Sequence, residues 1–90
     1  MAKLSRKGDA NAVGGKIVRG ASTVFANGIQ VGLHVSDITK HHPGSGKHKA
    51  AKTTEGSPTV FAEGVAVLRV GSGNNCGHKI TEGSPDVFVP

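Results

Sequence analysis

Residues 20–25 of the chain read Gly-Ala-Ser-Thr-Val-Phe, and related hexapeptides recur at residues 56–61, Gly-Ser-Pro-Thr-Val-Phe, and 83–88, Gly-Ser-Pro-Asp-Val-Phe. The three segments align without gaps, and they contain all 3 phenylalanines of the 90-residue chain. A unit that returns after 36 and then 27 residues indicates a repeat architecture, in which each copy packs against its neighbours. We therefore predict one domain, residues 1–90, built from three related copies.

The first two copies continue into predicted β-hairpins. Asn27-Gly28 follows the first copy and Glu63-Gly64 follows the second, each between apolar residues. Asn-Gly is a strong signal for a two-residue hairpin turn, because both residues tolerate positive φ. Apolar spacing typical of a helix is limited to a few residues at a time, and the one modest helix candidate is residues 47–52. The sequence predicts an all-β domain of short strands with pseudo-threefold repeats.

The register of the repeat extends backwards from the hexapeptides. Counted from the glycine that opens each copy, Ile17 corresponds to Ile80, and Gly15 corresponds to His78. The first interval is nine residues longer than the second, since 36 − 27 = 9. We expect the extra residues between positions 37 and 53, where three of the five histidines lie.

Composition excludes several classes of protein. The longest apolar runs fall well short of the roughly 18 residues that a membrane span needs, and the charged first ten residues lack the apolar segment of a signal peptide. We therefore expect a soluble chain without a cleaved signal. The single cysteine, Cys76, excludes an internal disulfide, so a metal or a partner surface is the expected reinforcement of a small core. Without Trp or Tyr, the aromatic platform typical of single-stranded nucleic acid binding is missing.

The histidines and the cysteine form two clusters that predict a metal site. His41, His42 and His48 lie in the insertion, and Cys76 and His78 precede the third copy. In an extended strand, residues i and i+2 point to the same side, so Cys76 and His78 can bind one ion. A thiolate with imidazoles suits Zn²⁺, whereas calcium and magnesium require oxygen ligands.

Two histidines of the insertion would complete a tetrahedral site. His41 and His42 are adjacent and face opposite ways in extended backbone, so one ion takes only one of them. A turn at residues 43–46 can bring His42 towards His48, with His41 as the reserve ligand. The alternative is an exposed His-rich loop and a small buried cysteine, and His34 is expected to be a hydrogen-bonded or surface histidine. The predicted zinc ligands are His42, His48, Cys76 and His78.

In their order and triplication, these motifs resemble the PAAR-repeat family, conical proteins that cap the spikes of contractile phage tails and type VI secretion systems. The likeness spans residues 4–89, and the short chain is most similar to the tail-spike tips of T-even phages rather than to effectors with an appended toxin. The residues that carry it are the three Gly-(Ser/Ala)-(Pro/Ser)-x-Val-Phe units, Lys7-Gly8-Asp9, the Asn27-Gly28 hairpin, Arg69-Val70-Gly71 and Cys76-Gly77.

The resemblance implies a small conical domain with one structural zinc near its apex, held by three histidines and one cysteine. Family members carry a histidine before the Gly-Gly of the first unit, where this chain has Val13, and His78 is the expected substitute. The Gly-Asp that follows the returning strand is expected at Ser36-Asp37 in one copy and at Gly71-Ser72 in another, which departs from the family pattern.

The resemblance also implies a partner and a location. The flat base would bind a trimeric β-helical spike protein, one monomer per trimer, in the virion at the tip of the tail baseplate. The tip would contact the target outer membrane transiently while piercing it, with no nucleic acid and no small-molecule substrate. Whether the phenylalanines face the partner or the core stays open. The expected platform residues are Thr23, Val24, Phe25, Thr59, Val60, Phe61, Asp86, Val87 and Phe88.

Two other functions compete with a structural spike tip. An enzyme is disfavoured, because residues 44–48 match neither the phosphate-binding loop nor the nucleophile elbow. A small basic zinc-containing nucleic-acid-binding module is the stronger alternative. Residues 1–52 carry nine Lys or Arg against two Asp, a balance of +7 that such a module would use.

Overall fold

The computed structural model describes residues 1–39 and 51–90. Within these ranges the strands form four antiparallel pairs, which join residues 2–3 to 88–89, 20–26 to 29–32, 37–38 to 51–52, and 61–62 to 65–66. No helix occurs in the described ranges, so none there could cross a membrane, and the all-β prediction is confirmed. The strands are β1 (Ala2–Lys3), β2 (Gly20–Ala26), β3 (Ile29–Gly32), β4 (Asp37–Ile38), β5 (Ala51–Lys52), β6 (Phe61–Ala62), β7 (Val65–Ala66) and β8 (Phe88–Val89).

Both predicted hairpin turns are present. Asn27 and Gly28 have φ of 55° and 76°, and Glu63 and Gly64 have φ of 54° and 78°. Positive φ at both central residues defines the type I′ turn, whose twist matches that of the flanking strands. These turns join β2 to β3 and β6 to β7, and they define what we call the base of the molecule.

The third hairpin is assembled from the two ends of the chain. Strand β8 follows the third hexapeptide, and its antiparallel partner is β1, the first strand. The N-terminal residues therefore supply the strand that pairs with the third copy. The phenylalanine of each copy has an equivalent cross-strand partner: Phe25 pairs with Gln30, Phe61 with Ala66 and Phe88 with Lys3.

Two rings of single β-bridges tie the copies together, which confirms the pseudo-threefold arrangement. The ring nearer the base pairs Leu4 with Arg69, Arg6 with Val31 and Leu33 with Val67. The other ring pairs Asn11 with Ile80, Ile17 with Ile38 and Thr53 with Asn74. The segments that begin and end in this second ring are residues 11–17, 38–53 and 74–80, so the second segment carries the nine extra residues, as predicted.

The molecule measures 32 × 23 × 22 Å, with one long axis. We call the end that carries the turns at residues 12–15 and 75–78 the apex. The buried apolar residues form two core clusters, one nearer the base and one nearer the apex. The basal cluster contains Leu4, Ala21, Ala26, Val31, Leu33, Ala62, Val67 and Val89. The apical cluster contains Ile17, Ile38, Ala51, Leu68 and Ile80.

Only the first hexapeptide is strand throughout. In the second and third copies the strand begins only at the phenylalanine. Pro58 and Pro85 occupy the bend in those copies and lack an N–H for pairing. The preceding Ser57 and Ser84 are buried, and their hydroxyls accept backbone N–H groups of the bend instead.

Two further expectations need correction. The helix candidate at residues 47–52 is strand β5 at Ala51–Lys52, and its first four residues lie outside the described part of the chain. The Gly-Asp position of the second copy is Val35-Ser36, one residue earlier than predicted. Val35 has φ of 63°, matching Gly8 at 91° and Gly71 at 98°, which shows that these three residues are equivalent.

Candidate functional site

Cys76 and His78 lie in a tight apical turn, so the prediction that residues 76–78 are extended is wrong. The backbone N–H of Gly77 donates to the Asn74 carbonyl at 3.0 Å, and the Asn74 N–H donates to the His78 carbonyl at 2.8 Å. Gly77 adopts φ of 91°, and this left-handed residue reverses the chain. Alternation along a strand therefore gives no reason for both side chains to face one ion, although both belong to one five-residue turn.

The first copy repeats this turn. The N–H of Gly14 donates to the Asn11 carbonyl at 3.2 Å, and the Asn11 N–H donates to the Gly15 carbonyl at 2.7 Å. Gly14 has φ of 87°, close to the value for Gly77. The register predicted from sequence, in which Gly15 corresponds to His78, is confirmed.

The thiol of Cys76 lies at the boundary between the apical core and solvent. Cys76 is half-buried and packs against the apical cluster. The other predicted loop ligands, His42 and His48, and the reserve His41 lie outside the described residues. Within the described ranges no group of three His, Cys, Asp or Glu could hold a metal, a result that covers only two of the four predicted ligands.

The buried side-chain amide of Asn74, two residues before Cys76 in the chain, lacks an acceptor in the described part of the protein. Asn11 Nδ2 donates to Asn74 Oδ1 at 3.0 Å, whereas Asn74 Nδ2 is buried and unsatisfied. The third equivalent position is Ile38, whose side chain offers no oxygen. A buried N–H without an acceptor costs about 1–3 kcal/mol, and a metal-bound thiolate is a strong acceptor. Cys76 and His78 bring a thiol and an imidazole into the turn that Asn74 opens, and zinc accepts both kinds of ligand.

The base carries the predicted platform. Phe25, Phe61 and Phe88 are 56%, 60% and 47% exposed, which answers the open question: the rings face solvent rather than the core. The residue after each of them, Ala26, Ala62 or Val89, is buried in the basal cluster. Of the nine platform residues, Val60 alone is half-buried against that cluster and the other eight are exposed.

Two sets of hydrogen bonds, which we call the clasps, join neighbouring copies at the base. Asn27 Nδ2 donates to Asp86 Oδ1 at 2.8 Å, and the Glu63 carboxylate accepts the Thr23 N–H at 2.9 Å and the Thr23 hydroxyl. The bonds from Thr23 lower the pKa of Glu63, and the bonds from Asn27 and then Ser84 lower the pKa of Asp86. Sequence reasoning identified Asn27 and Glu63 as turn residues but missed these contacts, because they join distant copies.

Two other polar residues have structural partners. His34 Nδ1 lies 3.1 Å from Thr53 Oγ1, so the expectation of a hydrogen-bonded histidine is confirmed. Asp9 is buried, and its carboxylate accepts the Arg6 backbone N–H at 2.7 Å and pairs with the Arg6 guanidinium at 3.1 Å. This pair holds the bend at residues 6–9, which follows β1.

Comparison with known proteins agrees with this geometry. The family model described as PAAR motif matches residues 7–82, which is 76 of the 90 residues. No curated protein matches the chain. The matched range contains the apical turns, the insertion and both type I′ hairpins. This chain belongs to the PAAR motif family, the spike-tip proteins of contractile injection structures.

Proposed function

We propose that this protein caps a trimeric β-helical spike, one monomer per trimer, and sharpens it for membrane piercing. The observation that carries the proposal is the exposure of Phe25, Phe61 and Phe88 at equivalent positions of the base. Large apolar side chains that stay exposed at related positions mark an interaction surface. A threefold set of such side chains matches a partner with three equivalent chain ends, whereas a monomeric partner would use one of them at a time.

The energetics favour capping. Burying a phenylalanine side chain contributes about 1.5–3 kcal/mol, so three equivalent rings supply a large part of a stable interface. The strand ends of a trimeric β-helix carry unpaired backbone groups, which a cap with three edges would cover. The clasps between copies hold the three edges in one arrangement before binding.

Light scattering of the purified protein mixed with the trimeric spike of its own particle tests the platform. We expect a mass of one monomer per trimer, with binding abolished in the F25E/F61E/F88E variant. The control is V18E, which places a glutamate at an apolar residue exposed to 44%, close to the 47% of Phe88, but away from the base. Full binding by the triple variant, or equal loss in V18E, would refute the platform.

We propose one structural zinc at the apex, since the PAAR motif is associated with metal coordination in general. The ligands would be His42, His48, Cys76 and His78, with His41 in reserve. Bound zinc joins the second and third copies and contributes roughly 10 kcal/mol or more to folding in small domains. Four protein ligands leave no open position for water, so the role we assign is structural rather than catalytic.

Metal analysis paired with thermal melts tests the zinc. We expect one zinc per chain and a large fall in Tm on chelation. Alanine variants at positions 42, 48, 76 and 78 should lose the metal, whereas H34A is the control, because His34 hydrogen-bonds Thr53. Stoichiometric metal in H78A would refute the role of His78, and loss in H41A but not H42A would exchange those two ligands.

We further propose that the protein belongs to the virion of a contractile-tailed phage of the T-even type. The support is the likeness of the three repeated hexapeptides, in their order, to those of phage tail-spike tips. Mass spectrometry of purified particles tests this location. Steeply salt-dependent DNA binding in place of spike binding would instead favour the nucleic-acid-binding alternative.

A further inference from the structure

Three lysines occupy one position of the repeat. Lys16, Lys52 and Lys79 each precede the opening glycine of a copy by four residues, and all three are exposed. Their backbones pair with equivalent neighbours across the apical hairpins: Lys16 with Ala10, Lys52 with Asp37 and Lys79 with Gly73. We call these three residues the lysine collar.

Hydrogen bonds between copies hold the backbone of the collar. The carbonyl of each collar lysine accepts an N–H from the next copy, so the three bonds close a ring around the long axis. The donors are Thr39 to Lys16 at 3.0 Å, Asn75 to Lys52 at 2.9 Å and Ala12 to Lys79 at 3.1 Å. The three side chains therefore start from one level of the molecule.

The collar and the phenylalanine platform lie at opposite ends of each copy. In the first copy, strand β2 runs from Gly20 to Ala26, which spans about 20 Å at 3.3 Å per residue. Lys16 lies four residues further towards the apex, and the whole molecule is 32 Å long. A spike bound to the base would therefore leave the collar facing outward.

The charges of the collar are largely uncompensated. Lys52 Nζ lies 2.8 Å from Asp37 Oδ1, in an exposed pair of the kind that contributes little. Lys16 and Lys79 have no carboxylate within ion-pair distance in the described ranges. Because the body is only 22–23 Å wide, the three collar positions surround the apex within one small area.

We infer that the lysine collar binds the phosphate headgroups of the target membrane and orients the apex against it. The inference rests on the proposed function, because the spike must occupy the base for the apex to lead. A ring of cations at one level presents a plane perpendicular to the axis, which suits a membrane surface better than the long groove of a nucleic acid. Each lysine near an anionic surface strengthens binding about fivefold.

Flotation of the purified full-length protein with vesicles tests the collar. The vesicles contain equal parts of phosphatidylglycerol and phosphatidylcholine, and pure phosphatidylcholine is the uncharged reference. We expect K16Q/K79Q to bind the anionic vesicles about 25-fold more weakly than the wild type, and the variant that also carries K52Q about 100-fold more weakly. The matched control K3Q/K7Q removes the same charge from exposed residues below the collar and should bind within a few-fold of the wild type.

Several outcomes would overturn the inference. These are no binding of the wild type to anionic vesicles, equal losses in K16Q/K79Q and K3Q/K7Q, and tighter binding to duplex DNA through the same lysines. Inorganic phosphate that displaces the protein at millimolar concentration would assign the collar to free anions instead. Spike binding by K16Q/K79Q, measured separately, distinguishes a failed collar from a failed platform, and circular dichroism verifies the fold of each variant.

Discussion

The left-handed backbone conformation of Val35 is predicted to destabilise the folded protein. It has φ of 63°, a left-handed conformation that is costly for a β-branched residue, and the equivalent residues of the other copies are Gly8 and Gly71. Left-handed backbone costs an L-residue about 1–2 kcal/mol. Glycine removes that cost but loses roughly 0.5–1 kcal/mol through its freer unfolded chain. We therefore expect V35G to raise the free energy of unfolding by about 0.5–1 kcal/mol.

Packing does not complicate this comparison. Val35 is 63% exposed, so little apolar contact is lost on its replacement. The reciprocal change, G8V, is also free of steric clashes at Cβ, because a Cβ added to Gly8 would meet no atom within 4 Å. G8V should therefore lower the free energy of unfolding by a similar amount, from backbone strain alone. V35A keeps a Cβ at this φ and should gain less than V35G.

Urea titration of the metal-loaded protein measures these differences. For a domain of this size, 0.5–1 kcal/mol corresponds to a Tm shift of about 2–8 °C, upward for V35G and downward for G8V. The urea midpoint should move without a change in m-value, since the surface exposed on unfolding stays the same. A V35G variant no more stable than V35A would refute the reasoning, because the gain would not come from backbone conformation.

Three further changes test other contacts. Hydrogen bonds from Thr23 lower the pKa of Glu63 from 4.5, so the stability they add is present above pH 4.5 and is lost as pH falls through the folded-state pKa. The Tm of the wild type should exceed that of E63Q at neutral pH, and the difference should shrink on acidification. A difference that stays constant with pH would contradict the stabilising role of the Thr23–Glu63 hydrogen bonds. S84A removes a buried hydroxyl that accepts two backbone N–H groups. Urea titration should show a free energy of unfolding lower by about 1–2 kcal/mol, and an unchanged value would mean that the hydroxyl is dispensable. A Cβ on Gly83 would lie 2.9 Å from the Leu4 backbone oxygen, so G83A should cost about 1–3 kcal/mol. The loss should exceed that of G32A, whose Cβ would lie 3.2 Å from its nearest atom and whose φ is not positive, and equal losses would refute the clash.

Local chemistry explains which expectations were correct. The type I′ turns follow from Asn27-Gly28 and Glu63-Gly64, since hairpin turns depend on residues adjacent in the chain. The nine extra residues lie where spacing placed them, because copies of one unit keep one register. The extended form of residues 76–78 was wrong, because Gly77 signals a reversal that strand alternation ignores.

Non-local pairing explains the rest. The left-handed Val35 was not predictable from local preference, since valine avoids that conformation. Its neighbours enforce it: Leu33 bridges Val67 on one side, and Asp37 pairs with Lys52 on the other, as in the copies that have glycine there. The partners of Asn27 and Glu63 also lie in other copies, 59 and 40 residues away.

The sequence alone determined the three copies, their hairpin turns and the family, because repeated residues and turn chemistry can be recognised without coordinates. The tertiary structure decided that β1 completes the third copy, since Lys3 pairs with Phe88 across almost the whole chain. It also decided that the phenylalanines face outward. In each strand the next residue occupies the core, and side chains alternate between faces, so the ring has only the solvent side available.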